Sequence, residues 1–238
     1  MKKLLLILAI CCVPVPALRG RKPGAAEIGK EVAAEVPQAG GDSVFDASSV
    51  FVNLPAGTLD LLTLSERLDL LDYYKVDSIA EVVNVMEGFS HLVRPVTDDY
   101  LKVQITPVST LTVKILPAGK SKIAVAAYTV GDSIEASDTD LKFFDEKLVE
   151  MPAGRFIKLA STEDFFNFKG ADKRTRKELL DLVPFPTVEY SFEPGSDRLH
   201  AHLTVHDFLG KETLDKISPY LQRDRWYKWT GKKFRLEK

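Results

Sequence analysis

Residues 96–149 read VTDDYLKVQITPVSTLTVKILPAGKSKIAVAAYTVGDSIEASDTDLKFFDEKLV, and three successive runs in them alternate or carry β-branched residues. Leu101, Val103 and Ile105 alternate with Lys102, Gln104 and Thr106, and Leu111, Val113 and Ile115 alternate with Thr112 and Lys114. A period of two is what a half-buried strand requires, because successive Cβ atoms point to opposite faces. Thr106-Pro107 and Pro117-Ala118-Gly119-Lys120 supply turn chemistry between the runs, since proline fixes φ and glycine tolerates positive φ. The stretch predicts a β-meander with strands near Tyr100–Thr106, Leu111–Leu116, Ile123–Val130 and Leu141–Phe144. Ile123–Val130 is apolar on both faces and belongs in the interior of the sheet. Lys102, Gln104, Thr112 and Lys114 would form the solvent face.

Upstream, Val50–Leu54 reads as a short strand or loop. Thr63-Leu64-Ser65-Glu66 is a capping box, and Leu64, Leu68 and Leu71 follow as the apolar stripe of a helix. A second box, Ser78 to Glu81, predicts a short helix carrying Val82, Val85 and Met86 and ending at Gly88. Downstream, a strand at Arg155–Leu159 and a brief helix at Ser161–Phe168 are expected. Asp172 is placed to cap a helix that stops before Pro184, with Leu179, Leu180 and Val183 inward. Thr187–Phe192 and Arg198–Val205 form a hairpin about Glu193–Asp197. A helix from Lys211 to Leu221 and a last hairpin, Arg225–Thr230 with Lys233–Glu237, complete the chain. The class is α+β: an antiparallel meander with helices packed on it, then a second half of helices and antiparallel hairpins.

The chain has 238 residues, 45% hydrophobic and 28% charged, within the range of globular proteins. A formal charge of −2 gives no footprint for nucleic acid. Lys2 and Lys3 precede an apolar run from Leu4 to Val13, and Pro14–Ala17 has the small residues of a cleavage site. That run is about half the roughly 20 residues a bilayer span needs, so a cleaved signal peptide over 1–17 is expected, with no transmembrane span afterwards. Both cysteines, Cys11 and Cys12, lie inside it, which leaves the mature protein without thiols. A lipid anchor at Cys11 is the lesser alternative, because Ile10 is bulky where such processing wants a small residue. Residues 18–47 are rich in Gly, Ala, Pro and Glu and read as a flexible spacer. The folded part then divides into a helix-plus-meander half, 48–150, and a helix/hairpin half, 151–238. The first half carries 9 basic and 16 acidic residues and the second 17 and 13, a difference that favours association.

Three candidate sites stand out. His200, His202 and His206 would share one face of an extended strand, where imidazoles at i and i+2 can hold a tetrahedral zinc, with Asp207 or Glu189 to complete it. The commoner arrangement is an amphipathic strand whose polar face happens to hold histidines. Asp132, Glu135, Asp138 and Asp140 offer hard oxygens for calcium but lack the EF-hand order, and a solvated acidic loop accounts for them as well. Trp226, Tyr227 and Trp229 sit beside Arg223, Arg225, Lys228, Lys232, Lys233, Arg235 and Lys238; Trp226, Trp229, Arg225 and Lys228 above all combine rings and cations suited to anionic glycans or lipid head groups, against a terminal hairpin with its aromatics in the core. There is no Gly-x-Ser-x-Gly, His-Glu-x-x-His, Gly-x-x-x-x-Gly-Lys or Gly-x-Gly-x-x-Gly.

Phe51-Val52-Asn53-Leu54-Pro55, Leu64 through Asp72, Leu92 through Leu101, Ser109 through Pro117, Leu141-Lys142-Phe143-Phe144-Asp145 and Pro219-Tyr220-Leu221 carry a family resemblance. The chain resembles a family of secreted proteins from Bacteroidales, classified as a domain of unknown function. The resemblance implies an exported α+β protein and supplies no activity or functional residue. Taken together, these readings favour a non-catalytic extracytoplasmic binding or accessory protein of the cell envelope, whose partner is an envelope protein, glycan or lipid head group. A metal-dependent hydrolase using the three histidines is the alternative.

Overall fold

The computed structural model describes residues 44–76, 79–131 and 136–237, without the side chains of His206 and Asp207. The expected leader and most of the expected spacer lie outside them. Helix α1 (Ala47–Asn53) begins where the spacer was expected to end, with Asp46 accepting from the Ser49 N–H at 2.7 Å in a capping box. The strand or loop expected at Val50–Leu54 is therefore helix: Val50 and Phe51 are buried together with Ala47, a helical spacing that an alternating reading cannot show. Helix α2 (Leu64–Lys75) follows from its own box, in which Thr63 N–H donates to Glu66 Oε2. Its buried face is Arg67 and Leu70, flanked by the half-buried Leu71 and Tyr74, whereas Leu64 and Leu68 of the expected stripe are exposed.

Seven antiparallel strands come next: β1 (Glu81–Val83), β2 (Phe89–Thr97), β3 (Tyr100–Thr106), β4 (Ser109–Ala118), β5 (Ser121–Val130), β6 (Asp138–Phe144) and β7 (Glu150–Met151). Each pairs with its chain neighbours, in the order β1-β2-β3-β4-β5-β6-β7. The four expected meander strands are all present, and β5 is interior, between β4 and β6. The helix expected after Ser78 is instead β1. Asn84 explains the difference: its Oδ1 accepts from the Met86 and Gly88 N–H groups, and its Nδ2 donates to Ser90 Oγ and the Ile105 carbonyl. That set of bonds folds a hairpin turn and ties it to β3.

The second half opens with a 3-10 turn (Ala153–Arg155) where a strand was expected; Phe156 and Ile157 are adjacent and both buried, which an alternating strand forbids. A capped 3-10 turn (Thr162–Phe165) and helix α3 (Lys173–Asp181), capped by Asp172 at 2.7 Å from Thr175 N, follow as expected. Strands β8 (Val188–Phe192), β9 (Arg198–Leu203), β10 (Asp224–Trp229) and β11 (Phe234–Leu236), with helix α4 (Lys211–Ile217) between β9 and β10, form a second antiparallel sheet of order β11-β10-β9-β8. The class is α+β.

The larger sheet is covered on both faces. Leu101, Val103, Ile105, Leu111, Val113 and Phe144 meet α1, α2 and the loop joining them. Val125, Leu141 and Phe143 on the opposite face meet the smaller sheet, with the Phe143 and Phe156 rings stacked at 4.9 Å. The expected solvent face is therefore interior on β4, while Lys102 and Gln104 on β3 are half-buried. Thr112 is buried, and the fully buried Lys114 ammonium pairs with Asp99. Polar groups join the sheets: Asp138 Oδ1 accepts from Val188 N, Thr139 Oγ1 accepts from Tyr190 N, and Thr204 Oγ1 donates to the Ser137 carbonyl. No helix among the described residues is long and apolar enough to cross a membrane.

Candidate functional site

Alternation along the smaller sheet sorts its side chains cleanly. Leu199, Ala201 and Leu203 on β9 and Tyr227 and Trp229 on β10 are buried in the shared core. Arg198, His200 and His202 on β9, with Asp224, Trp226 and Lys228 on β10, therefore stand on the opposite, outward face. Antiparallel register places Asp224 opposite His202 and Trp226 opposite His200.

Direct opposition brings these groups into contact. His200 Nε2 and His202 Nδ1 each lie 2.8 Å from Asp224 Oδ1, so one carboxylate oxygen accepts from two rings. Their three candidate ligand atoms all lie within 4.8 Å of one another. The Trp226 indole stacks on the His200 ring at 4.4 Å, and the Arg198 guanidinium lies 4.4 Å from the centre of the same indole. Arg198 also pairs with Glu237. Burial works to raise the Asp224 carboxyl, but the hydrogen bonds and charge of His202 and His200 hold it below its ordinary range.

His200 and His202 lie on β9, which ends at Leu203, whereas His206 belongs to a 3-10 segment, Val205–Phe208, and not to the same strand. The side chains of His206 and Asp207 lie outside the described residues. Glu189 is in register with His202, but its Oε2 accepts from Ser137 Oγ at 2.9 Å. Asp224 was not anticipated. It is 22 residues from His202, and only the pairing of β10 with β9 reveals it.

The aromatic-cationic group divides between two faces. Trp226 and Lys228 face outward. Trp229 is buried, donates from Nε1 to the Pro117 carbonyl at 2.6 Å and packs on Phe234 with ring centroids 4.9 Å apart. Arg225 points the same way as Trp229, with Nη1 donating to Gln222 Oε1 and Nη2 to the Glu237 carbonyl. Of the acidic loop, Asp132 and Glu135 lie outside the described residues. Asp138 accepts from backbone, and Asp140 lines a cavity of about 220 Å³ with Lys142 beneath the 57–61 loop.

A larger feature runs beside the β10–β11 hairpin. A cleft of about 790 Å³ is bounded by β5, the turn after β6 and the hairpin tip, and its cations are Lys122, Lys147, Arg155, Lys232 and Lys233. Its carboxylates are Asp145 and Glu146: Asp145 Oδ1 accepts from the Lys147 and Val149 N–H groups, and Glu146 Oε1 accepts from Lys122 N. Ile123, Met151 and Phe156 give it an apolar floor. A second cleft of about 470 Å³ shares Arg155 and Lys233 and adds Lys158 and Arg235, with Asp164. Lys232, Lys233 and Arg235 belong to the basic run expected beside the tryptophans, and Lys122 from β5, Lys147 from the turn after β6 and Arg155 from the first 3-10 turn join them only in the fold. Their convergence depends on the hairpin tip meeting β5.

No curated protein matches the chain. Among solved structures, a domain of an uncharacterized protein from Porphyromonas gingivalis W83 superimposes with a TM-score of 0.68 at 20% identity, covering 80% of this chain and 96% of that one. That likeness is one of fold. Residues 43–234 match the family described as protein of unknown function (DUF3256), the whole two-sheet fold but for its last residues, and the chain belongs to that family.

Proposed function

We propose that this protein is a non-catalytic binding or accessory protein of the bacterial cell envelope, acting outside the cytoplasm, and that it holds an anionic glycan in the cleft beside the β10–β11 hairpin. The observation that carries this reading is the cleft's charge, five cations against two carboxylates that also cap backbone N–H groups, above an apolar floor. Acid groups of a glycan would meet Lys147, Lys232 and Lys233, while the apolar side of a sugar would rest on the half-buried Met151. Export is supported by the Lys2–Ala17 pattern. The hydrolase alternative rests on the histidines alone.

The test is calorimetric titration of the protein with a polyuronate oligosaccharide and, separately, with phosphatidylglycerol vesicles. Salt-dependent binding of the oligosaccharide, weakened at least about tenfold in Lys232→Glu/Lys233→Glu, is expected. Absence of oligosaccharide binding, equal affinity in the double variant, or binding to vesicles only would overturn the proposal. Cell fractionation tests the location, and recovery of the protein in the cytoplasm would refute it.

A further inference from the structure

The outward face of the smaller sheet carries a cluster that is independent of the cleft. The geometry points to His200, His202 and Asp224 as a binding site for a single Zn²⁺-class cation. Three features converge on this assignment.

The donors are the right kind. Two imidazole nitrogens and one carboxylate oxygen form a set that borderline divalent metals take readily, and one that hard cations such as calcium do not favour. Their spacing is also close to that of a bound set. Donors about 2.0–2.2 Å from one tetrahedral centre lie roughly 3.3–3.6 Å apart, so three atoms within 4.8 Å of one another need move by only about 1 Å each.

The scaffold fixes the donors before any metal arrives. His200 and His202 are two apart on β9 and Asp224 is directly opposite on β10, so strand pairing sets their separation without help from a loop. The Trp226 indole at 4.4 Å holds the plane of the His200 ring. Such supporting contacts orient metal-bound imidazoles.

The site is also accessible. The two imidazoles retain 24% and 35% of their side-chain exposure and the carboxylate 55%, which leaves room on the solvent side for water or a further ligand. Three protein ligands with an open position is an arrangement that can bind an external donor, such as a carboxylate or histidine on a partner.

The experiment is equilibrium dialysis of the full chain, prepared without a polyhistidine tag or nickel column, against Zn²⁺, with metal content read by elemental analysis. About one zinc per chain is expected, with a rise in melting temperature that EDTA reverses. His202→Gln and Asp224→Asn, which keep side-chain volume, should each weaken binding at least about tenfold while their metal-free melting curves and circular dichroism stay close to those of the parent. No bound zinc, or zinc held equally well by the folded variants, would overturn the assignment. If a variant fails to fold, His200→Gln serves in its place. Protection of His200 and His202 from diethyl pyrocarbonate by Zn²⁺ on the unmodified protein gives a second readout, and failure to protect either ring would also overturn it.

Discussion

Replacing Arg67 with Met should be among the most damaging single changes outside the aromatic core. The Arg67 guanidinium is buried on α2 and donates to four backbone carbonyls: Leu62 from Nε at 2.9 Å, Val52 and Leu54 from Nη1 at 3.1 and 3.2 Å, and Leu59 from Nη2 at 3.2 Å. Those carbonyls belong to the end of α1 and to the loop running on to α2, so one side chain holds the connection in place. Burial lowers its pKa, opposed by the charges of Asp60 and Glu66. Each hydrogen bond to a charged group contributes about 1.5–3 kcal/mol. The four do not simply add, because Met recovers the desolvation of a buried cation and the loop can partly rehydrate. A net loss of about 3–5 kcal/mol is expected, and for a chain of this size each kcal/mol lowers the melting temperature by roughly 2–4 °C. Urea unfolding should show a lower midpoint with unchanged slope, and the amides of residues 57–62 should exchange faster. Arg67→Lys should fall near Met, since three ammonium donors on a flexible stem cannot span four carbonyls. A loss below about 1 kcal/mol in either variant would refute the reasoning.

Three further outcomes are expected. Burial works to raise Asp99, but its bonds to Lys114 and Thr97 and the Lys114 charge hold it below its ordinary value; its contribution is therefore present above the unfolded value near 3.9 and lost as pH falls through the lower folded one. Lys114→Met should be less stable than the parent at pH 7, with the gap closing below about pH 4 in urea melts, and a gap constant with pH would contradict this. Gly131→Ala should lower stability by at least about 1–3 kcal/mol in a thermal melt, because φ is 120° and a Cβ would lie 2.5 Å from the Ala136 carbonyl oxygen and from Ser137 Cα; a neutral result would count against that backbone. Trp229→Phe removes the bond to Pro117 and part of the packing between sheets, and should cost about 1–3 kcal/mol by urea melt, whereas Trp226→Phe, on the open face, should cost less.

The meander was legible because its period of two is local: Tyr100–Thr106 needed no knowledge of its partners. α2 was legible in its ends and not in its orientation. Thr63 and Glu66 mark its start, but its inward face is built around an arginine, and hydropathy counts an arginine as outward. β1 was lost to a false capping box, since Asn84 directs a turn through bonds to Ser90 and Ile105 that lie up to 21 residues away. Lys114 was read as solvent-facing for the same kind of reason, because its burial and its pairing with Asp99, 15 residues earlier, leave no mark on a period of two. At the candidate site, His200 and His202 could be found from spacing, while Asp224 and the cluster of cations in the cleft come together only through pairing and packing. Chemistry assembled from distant strands leaves no periodic trace.

The larger sheet has its seven strands in the order of the chain, each hydrogen-bonded to the one before it. A polypeptide that appears in one direction, from a ribosome or a secretion pore, can therefore add every strand to an edge that already exists. None has to wait for a segment still to come. Loop closure at each step spans only one hairpin, which favours quick assembly and short exposure of unpaired edges. The two terminal strands of the sheet, Glu81–Val83 and Glu150–Met151, are also its shortest, so growth that proceeds so readily within the chain has little purchase for a neighbouring molecule.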